Sequence, residues 1–131
     1  MNPTAPVNYA AEIKSVFEAL DGVHGAIDPL GLERSLHHLV QLRASQINRC
    51  GYCVKMHTRE ARQDKETNER LDRLVVWKHV GDYSPREKAA LRWTEALTLL
   101  DDRTDFAALR SELRQHFSDR EIGALTATVA M

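Results

Sequence analysis

The chain has 131 residues, 43% of them hydrophobic and 28% charged, with a formal net charge of -1. That composition fits one globular domain over residues 1–131 with enough apolar material for a core. Charges of both signs are interspersed, with no basic block to hold nucleic acid and no apolar run near the roughly 20 residues of a membrane span. The N-terminus lacks the basic and apolar regions of a secretory signal, so a cytoplasmic protein is expected.

The helical signals follow one another along the chain. Met1 to Asn8 reads as a loose arm. Ile13, Val16, Phe17 and Leu20 then fall at i, i+3, i+4 and i+7, the stripe of a helix over Ala10 to Leu20. Asp21-Gly22 offers it a glycine cap. Asp28-Pro29 reads as an N-cap with proline at the first helical position, opening a helix that runs to about Ile47. Its apolar side carries Leu32, Leu36, Leu39, Val40 and Ile47. Asn48-Arg49 marks a break before a helix from Cys50 to Arg62. Thr67 caps a further helix ending near Gly81, with Leu71, Leu74, Val75 and Trp77 facing inward.

Two capping boxes follow. Ser84-Pro85-Arg86-Glu87 opens a helix to Leu100 that buries Ala89, Trp93, Ala96, Leu97 and Leu100. Phe106, Leu109, Leu113 and Phe117 mark the next helix. Ser118-Asp119-Arg120-Glu121 leads into Ile122, Leu125 and Val129. No segment alternates long enough to form a strand. The expected fold is all-α, a single-domain bundle of six or seven helices.

The chemistry concentrates at Cys50, Cys53 and His57. Spacings of three and four place all three on one helical face. The sulfurs are then near enough to pair, and the imidazole is within reach of Cys53. Cys50 sits at a helix start, where free N–H groups and the dipole favour a thiolate. Arg49 and Lys55 add positive charge. A thiolate attacks peroxides and disulfides, and His57 has the chemistry to take the thiol proton. In the cytosol a C-x-x-C pair is redox-active or metal-binding more often than it is a structural link. Metal binding would need a fourth ligand beside Cys50, Cys53 and His57, with His24, His37, His38, His79 and His116 as candidates. No resident metal or bound cofactor is expected. Tyr52 and Met56 flank the motif as packing residues, and Trp77 and Trp93 read as core anchors.

The run Leu42-Arg43-Ala44-Ser45-Gln46-Ile47-Asn48, then Cys50-x-x-Cys53-x-x-x-His57-Thr58-x-x-Ala61-Arg62, closely resembles the alkylhydroperoxidase D-like branch of the carboxymuconolactone decarboxylase family. Ser84 to Glu87 and the segment Ala90 to Thr98 resemble that branch too. The resemblance covers most of Leu30 to Val129. It implies an all-helical subunit assembling into trimers or hexamers, and a peroxidase whose C-x-x-C cycles between dithiol and disulfide. It assigns Cys53 as the peroxidatic thiol, activated by His57, and Cys50 as the resolving thiol. The implied partners are a hydroperoxide substrate and an external dithiol electron-donor protein.

Three positions depart from that pattern. Peroxidase-type relatives carry Glu twelve residues before the first Cys, in a proton relay to the His. That position here is His38, a relay candidate without fixed negative charge or, like His37 beside it, an ordinary surface residue. Glu95 is a candidate replacement carboxylate. Arg49 stands where relatives commonly have Gly. Relatives also often extend the last helix, whereas this sequence ends at Met131. The alternatives are a non-catalytic redox sensor or oligomeric scaffold, and a decarboxylase like the family's namesake, whose chemistry needs no redox dithiol.

Overall fold

The computed structural model describes residues 1–131 and is helical throughout. Eight α-helices are present: α1 Tyr9–Glu12, α2 Lys14–Ile27, α3 Arg34–Ile47, α4 Gly51–Gln63, α5 Asn68–Arg73, α6 Pro85–Leu99, α7 Phe106–Leu113 and α8 Asp119–Ala130. Two 3-10 segments, Asp28–Leu30 and Leu74–His79, complete the order, and there is no strand. One more α-helix than expected arises because the first breaks at Ile13, whose backbone leaves helical geometry.

α3 and α6 form the central pair. Leu36 and Val40 of α3 join Ala89, Ala90 and Trp93 of α6 in one apolar cluster, closed by Leu113, Phe117 and Leu125. Leu39 and Leu42, on the neighbouring stripe of α3, join Leu91 of α6 in a second, closed by Ala61, Leu71, Leu74, Trp77 and Tyr83. Both clusters thus share the same two helices, and a polar stripe of α3 is left to face α4. Both capping boxes form with their serine and glutamate bonds in place. Each such cap is worth about 1 kcal/mol.

Several expected boundaries shift. The helix expected to end at Asp21-Gly22 does not stop there but continues to Ile27. The chain turns at Gly31 instead, where φ is 92° and only glycine sits without strain. That turn reduces Asp28-Pro29-Leu30 to a 3-10 segment, and the long helix begins at Arg34 with Glu33 as its cap. Leu74 and Trp77 are buried as expected, but Val75 is exposed. The segment there tightens to 3-10 geometry, which stacks residues three apart and turns Val75 outward. Leu100 is also exposed, because it caps α6 in the left-handed region rather than extending it.

The largest difference lies in the first helices. Ile13, Val16, Phe17 and Leu20, expected to face a core, are all exposed, as is Val23. Only Ile27 of α2 is buried. The stripe is real, but nothing in this chain covers it.

Candidate active site

The short connection between α3 and α4 sets the position of the cysteines. Arg49 takes a left-handed φ of 57°, so the chain reverses there, and Cys50 becomes the N-cap of α4. Its sulfur accepts a hydrogen bond from the Cys53 backbone N–H at 3.2 Å. Cys50 and Cys53 are joined as a disulfide, with their Cα atoms 5.3 Å apart. Both are partly exposed, and Tyr52 between them is exposed rather than packed.

His57 lies one turn further along α4 and is nearly buried. Its Nδ1 donates to Glu60 Oε2 at 3.1 Å, which leaves Nε2 as the free acceptor. The imidazole makes no hydrogen bond to either sulfur while they are bonded to each other.

His38 is not a surface residue. It is 6% exposed, and Nε2 donates to Asp64 Oδ2 at 2.5 Å. Arg34, one turn before His38 on α3, donates to the same oxygen from Nε at 2.9 Å. The hydrogen bond from His38, and then that from Arg34, hold the Asp64 carboxyl below its usual 3.8. Nδ1 of His38 is buried and has no partner.

These groups pair two helices. Arg34, His38 and Gln41 form a stripe at i, i+4 and i+7 on α3. His57, Glu60 and Asp64 lie at i, i+3 and i+7 along α4 and its C-cap. All six line one cleft of about 710 Å³, whose far wall is Asp21, His24 and Ile27 of α2. His37 is also in the cleft. Burial, then the adjacent His38, pushes its value below the usual 6.5. The disulfide sits beside this cleft rather than in its lining, with His57 as the link between them.

Glu95 does not serve this cleft. It is 9% exposed and lies on the opposite side of α3. Its Oε1 accepts from Arg43 Nε at 3.0 Å and Nη2 at 2.9 Å, and from Trp77 Nε1 at 2.8 Å. Lys78 Nζ pairs with Oε2 at 2.8 Å. Burial pushes the carboxyl up, but bonds from Lys78, Trp77 and Arg43 outweigh it and hold it below its usual 4.5. Arg43 and Glu95, both within the segments that carry the resemblance, are therefore joined in a structural pairing. Trp77 and Trp93 are buried anchors, as their sequence context implies.

Glu60 and Asp64 are the residues that the sequence reading missed. Their signal was present as acidic residues three and seven positions after His57, on the face that carries the imidazole. Of the histidines, His24, His37, His38 and His57 gather at the cleft, while His79 lines the pocket beside Glu95. No three His, Cys, Asp or Glu side chains are grouped so as to hold a metal ion, and no helix is long and apolar enough to cross a membrane.

Residues 14–96 match the model of the carboxymuconolactone decarboxylase family. The chain is 36% identical over 90 residues to the uncharacterized protein YdfG of Bacillus subtilis, covering 69% of this chain and 61% of that protein. It is 26% identical over 100 residues to the uncharacterized protein YnjA of Escherichia coli, covering 76% of this chain and 54% of that protein. The chain thus spans less than two thirds of the length of either relative. A crystal structure from Agrobacterium tumefaciens superposes with a TM-score of 0.89 at 34% identity, covering 95% of this chain and 85% of that one. That protein is of unknown function and is described as a candidate AhpD antioxidant defence protein. By sequence and by fold, the chain belongs to the carboxymuconolactone decarboxylase family, with an AhpD-like structure.

Proposed function

We propose that the chain is a thiol-dependent peroxidase that reduces hydrogen peroxide or small organic hydroperoxides. The observation that carries this reading is the Cys50–Cys53 disulfide at the start of α4, one turn before an imidazole held by a carboxylate. In the reduced protein His57 Nε2 takes the proton of Cys53. The thiolate attacks one oxygen of the hydroperoxide and the O–O bond breaks. Cys53 becomes a sulfenic acid, and the leaving alkoxide, or hydroxide where hydrogen peroxide is the substrate, takes a proton to give the alcohol or water. The Cys50 thiol then attacks the Cys53 sulfur, forming the disulfide and releasing water. An external dithiol protein reduces the disulfide by thiol–disulfide exchange and is itself oxidised. No bound cofactor enters this cycle.

Assembly belongs to the same reading. A 14-residue helix is marginal in water without packing, yet the stripe from Ile13 to Val23 faces solvent in the single chain. A second copy of this chain is the occupant that would cover it, and α2 also walls the cleft. A Phe17→Asp variant with a lower solution mass than the parent is the expected result by light scattering.

The division of labour between the cysteines is open to direct test. In Cys50→Ser, one equivalent of hydroperoxide should leave a sulfenic acid on Cys53 that dimedone traps. In Cys53→Ser no trapped product should form. Trapping mainly at Cys50 would reverse the two roles.

A further inference from the structure

We propose that the pocket between the end of α3, the 3-10 segment Leu74–His79 and the end of α6 binds a small apolar carboxylate, with its tail on Val75, Val76 and Leu99 and its headgroup on Lys78. The 3-10 segment builds one wall. Its three-residue repeat buries Leu74 and Trp77. The same turn sets Val75, Val76 and Lys78 outward, with Val76 at a kink of φ -120°. Ile47 near the end of α3 and Leu99 at the end of α6 complete the apolar lining, and the pocket holds about 320 Å³. That is the small end of the ligand-pocket range of about 300–1,000 Å³. Beyond the N-terminal arm and α2, the exposed large apolar side chains are Tyr52, Val75, Val76, Leu99, Leu100 and Met131. Three of those six line this one pocket. Such clustering marks a binding surface, whereas scattered exposure does not.

The charge selects the occupant. Arg43 and Lys78 both pair with the single carboxylate of Glu95, which leaves one positive charge in excess. His79, also in the lining, can add to that charge and cannot oppose it. Both oxygens of Glu95 are taken, Oε1 by Arg43 and Trp77 and Oε2 by Lys78. The carboxylate is therefore saturated, but the ammonium is not. Lys78 has three donors, and Glu95 engages one. Its side chain is 53% exposed, yet it is steadied over the face of Trp77, with Nζ 5.4 Å from the ring centre. A held ammonium with free donors thus stands beside an apolar wall. A cation would meet the excess positive charge, and an inorganic anion would leave the two valines and Leu99 in water. A carboxylate on an aliphatic or single-ring tail uses both the charge and the wall. Neither cysteine lines this pocket, so the inference does not rest on the thiol chemistry proposed above.

Hexanoate is the probe, titrated into the full chain at low salt, where charge is least screened, and followed by 1H–15N correlation spectra. Saturable shifts are expected at the amides of Ile47, Val75 to His79 and Leu99, and at the Trp77 indole N–H. Hexanol and hexylammonium carry the same tail and should bind about tenfold more weakly, the worth of one hydrogen bond to a charged group. Lys78→Gln should bring hexanoate down to the affinity of hexanol and leave hexanol unchanged. Leu99→Ser, at an exposed position outside both core clusters, should weaken hexanoate and hexanol alike. Shifts that do not saturate, hexanol binding as tightly as hexanoate, or full hexanoate affinity in Lys78→Gln would each overturn the inference. So would a response confined to the apolar stripe of α2. A second copy of the chain seated on this face would make the same amides shift with protein concentration and not with hexanoate, and that result would overturn it too.

Discussion

Two charged networks flank α3, and they differ in one respect. On one side Glu95 is surrounded by Arg43, Trp77 and Lys78, and each of its oxygens has a donor. On the other, His38 and His57 each pair with a carboxylate, and a buried nitrogen is left over. A network in which every group is satisfied rigidifies a core. The cleft network instead leaves a buried ring nitrogen without a partner, close to an open cleft and a dithiol. Burial alone does not separate them, since His38 and Glu95 are 6% and 9% exposed. The completeness of the pairing does.

That contrast is broken most severely by Glu95→Ala. It leaves Arg43 without its bidentate partner and Trp77 without its acceptor. Removing one partner from such a buried set costs about 3–5 kcal/mol, read as a lower midpoint in urea. Cys53 alkylation, measured where the variant is folded, should keep the parent pH profile. The acid limb sharpens the point. Glu95 is held below 4.5 in the folded state, so its contribution is complete above that pH and is lost as pH falls through the lower folded value. Glu95→Gln should flatten the loss of stability below about pH 4.5, the ordinary carboxyl value.

His57→Ala should do the reverse. Stability changes little, whereas the neutral-pH alkylation rate of Cys53 falls by about a hundredfold, as expected for removal of a general base. The apparent pKa of alkylation moves upward. An unchanged profile would remove His57 as the base.

The smallest effect belongs to Arg49. At φ 57° a side chain is strained by about 1 kcal/mol. Arg49→Gly should raise stability by up to about that amount in denaturant titration, with reactivity altered only slightly. A large loss of Cys53 reactivity would show instead that the Arg49 charge activates the thiol.

Much of the fold was legible because its signals are local. Both capping boxes, the Thr67 cap and the break at Asn48-Arg49 appear where the sequence places them. The missteps share a cause. Periodicity reports that a face is apolar, not what covers it, so Phe17 and Leu20 read as core although this chain leaves them exposed. Gly22 and Gly31 offer the same stop signal, and only the backbone path decides which takes the left-handed turn.

The site was legible up to its long-range pairs. Cys50, Cys53 and His57 are recognisable by spacing, and Glu60 and Asp64 stood on the same face without being weighed. Glu95 and His38 lie on different helices from their partners, so sequence could not say which imidazole met which carboxylate. The structure gives His38 to Asp64 and Glu95 to Arg43, so Glu95 is not the carboxylate beside the cleft histidines.

The most direct test of the account is hydroperoxide consumption by the pre-reduced protein under excess dithiol, with Cys53→Ser as control. Many turnovers per subunit, abolished in Cys53→Ser, is the predicted result. A single stoichiometric oxidation to the Cys50–Cys53 disulfide with no further consumption would contradict it, and would make the dithiol a sensor of oxidant rather than a catalyst.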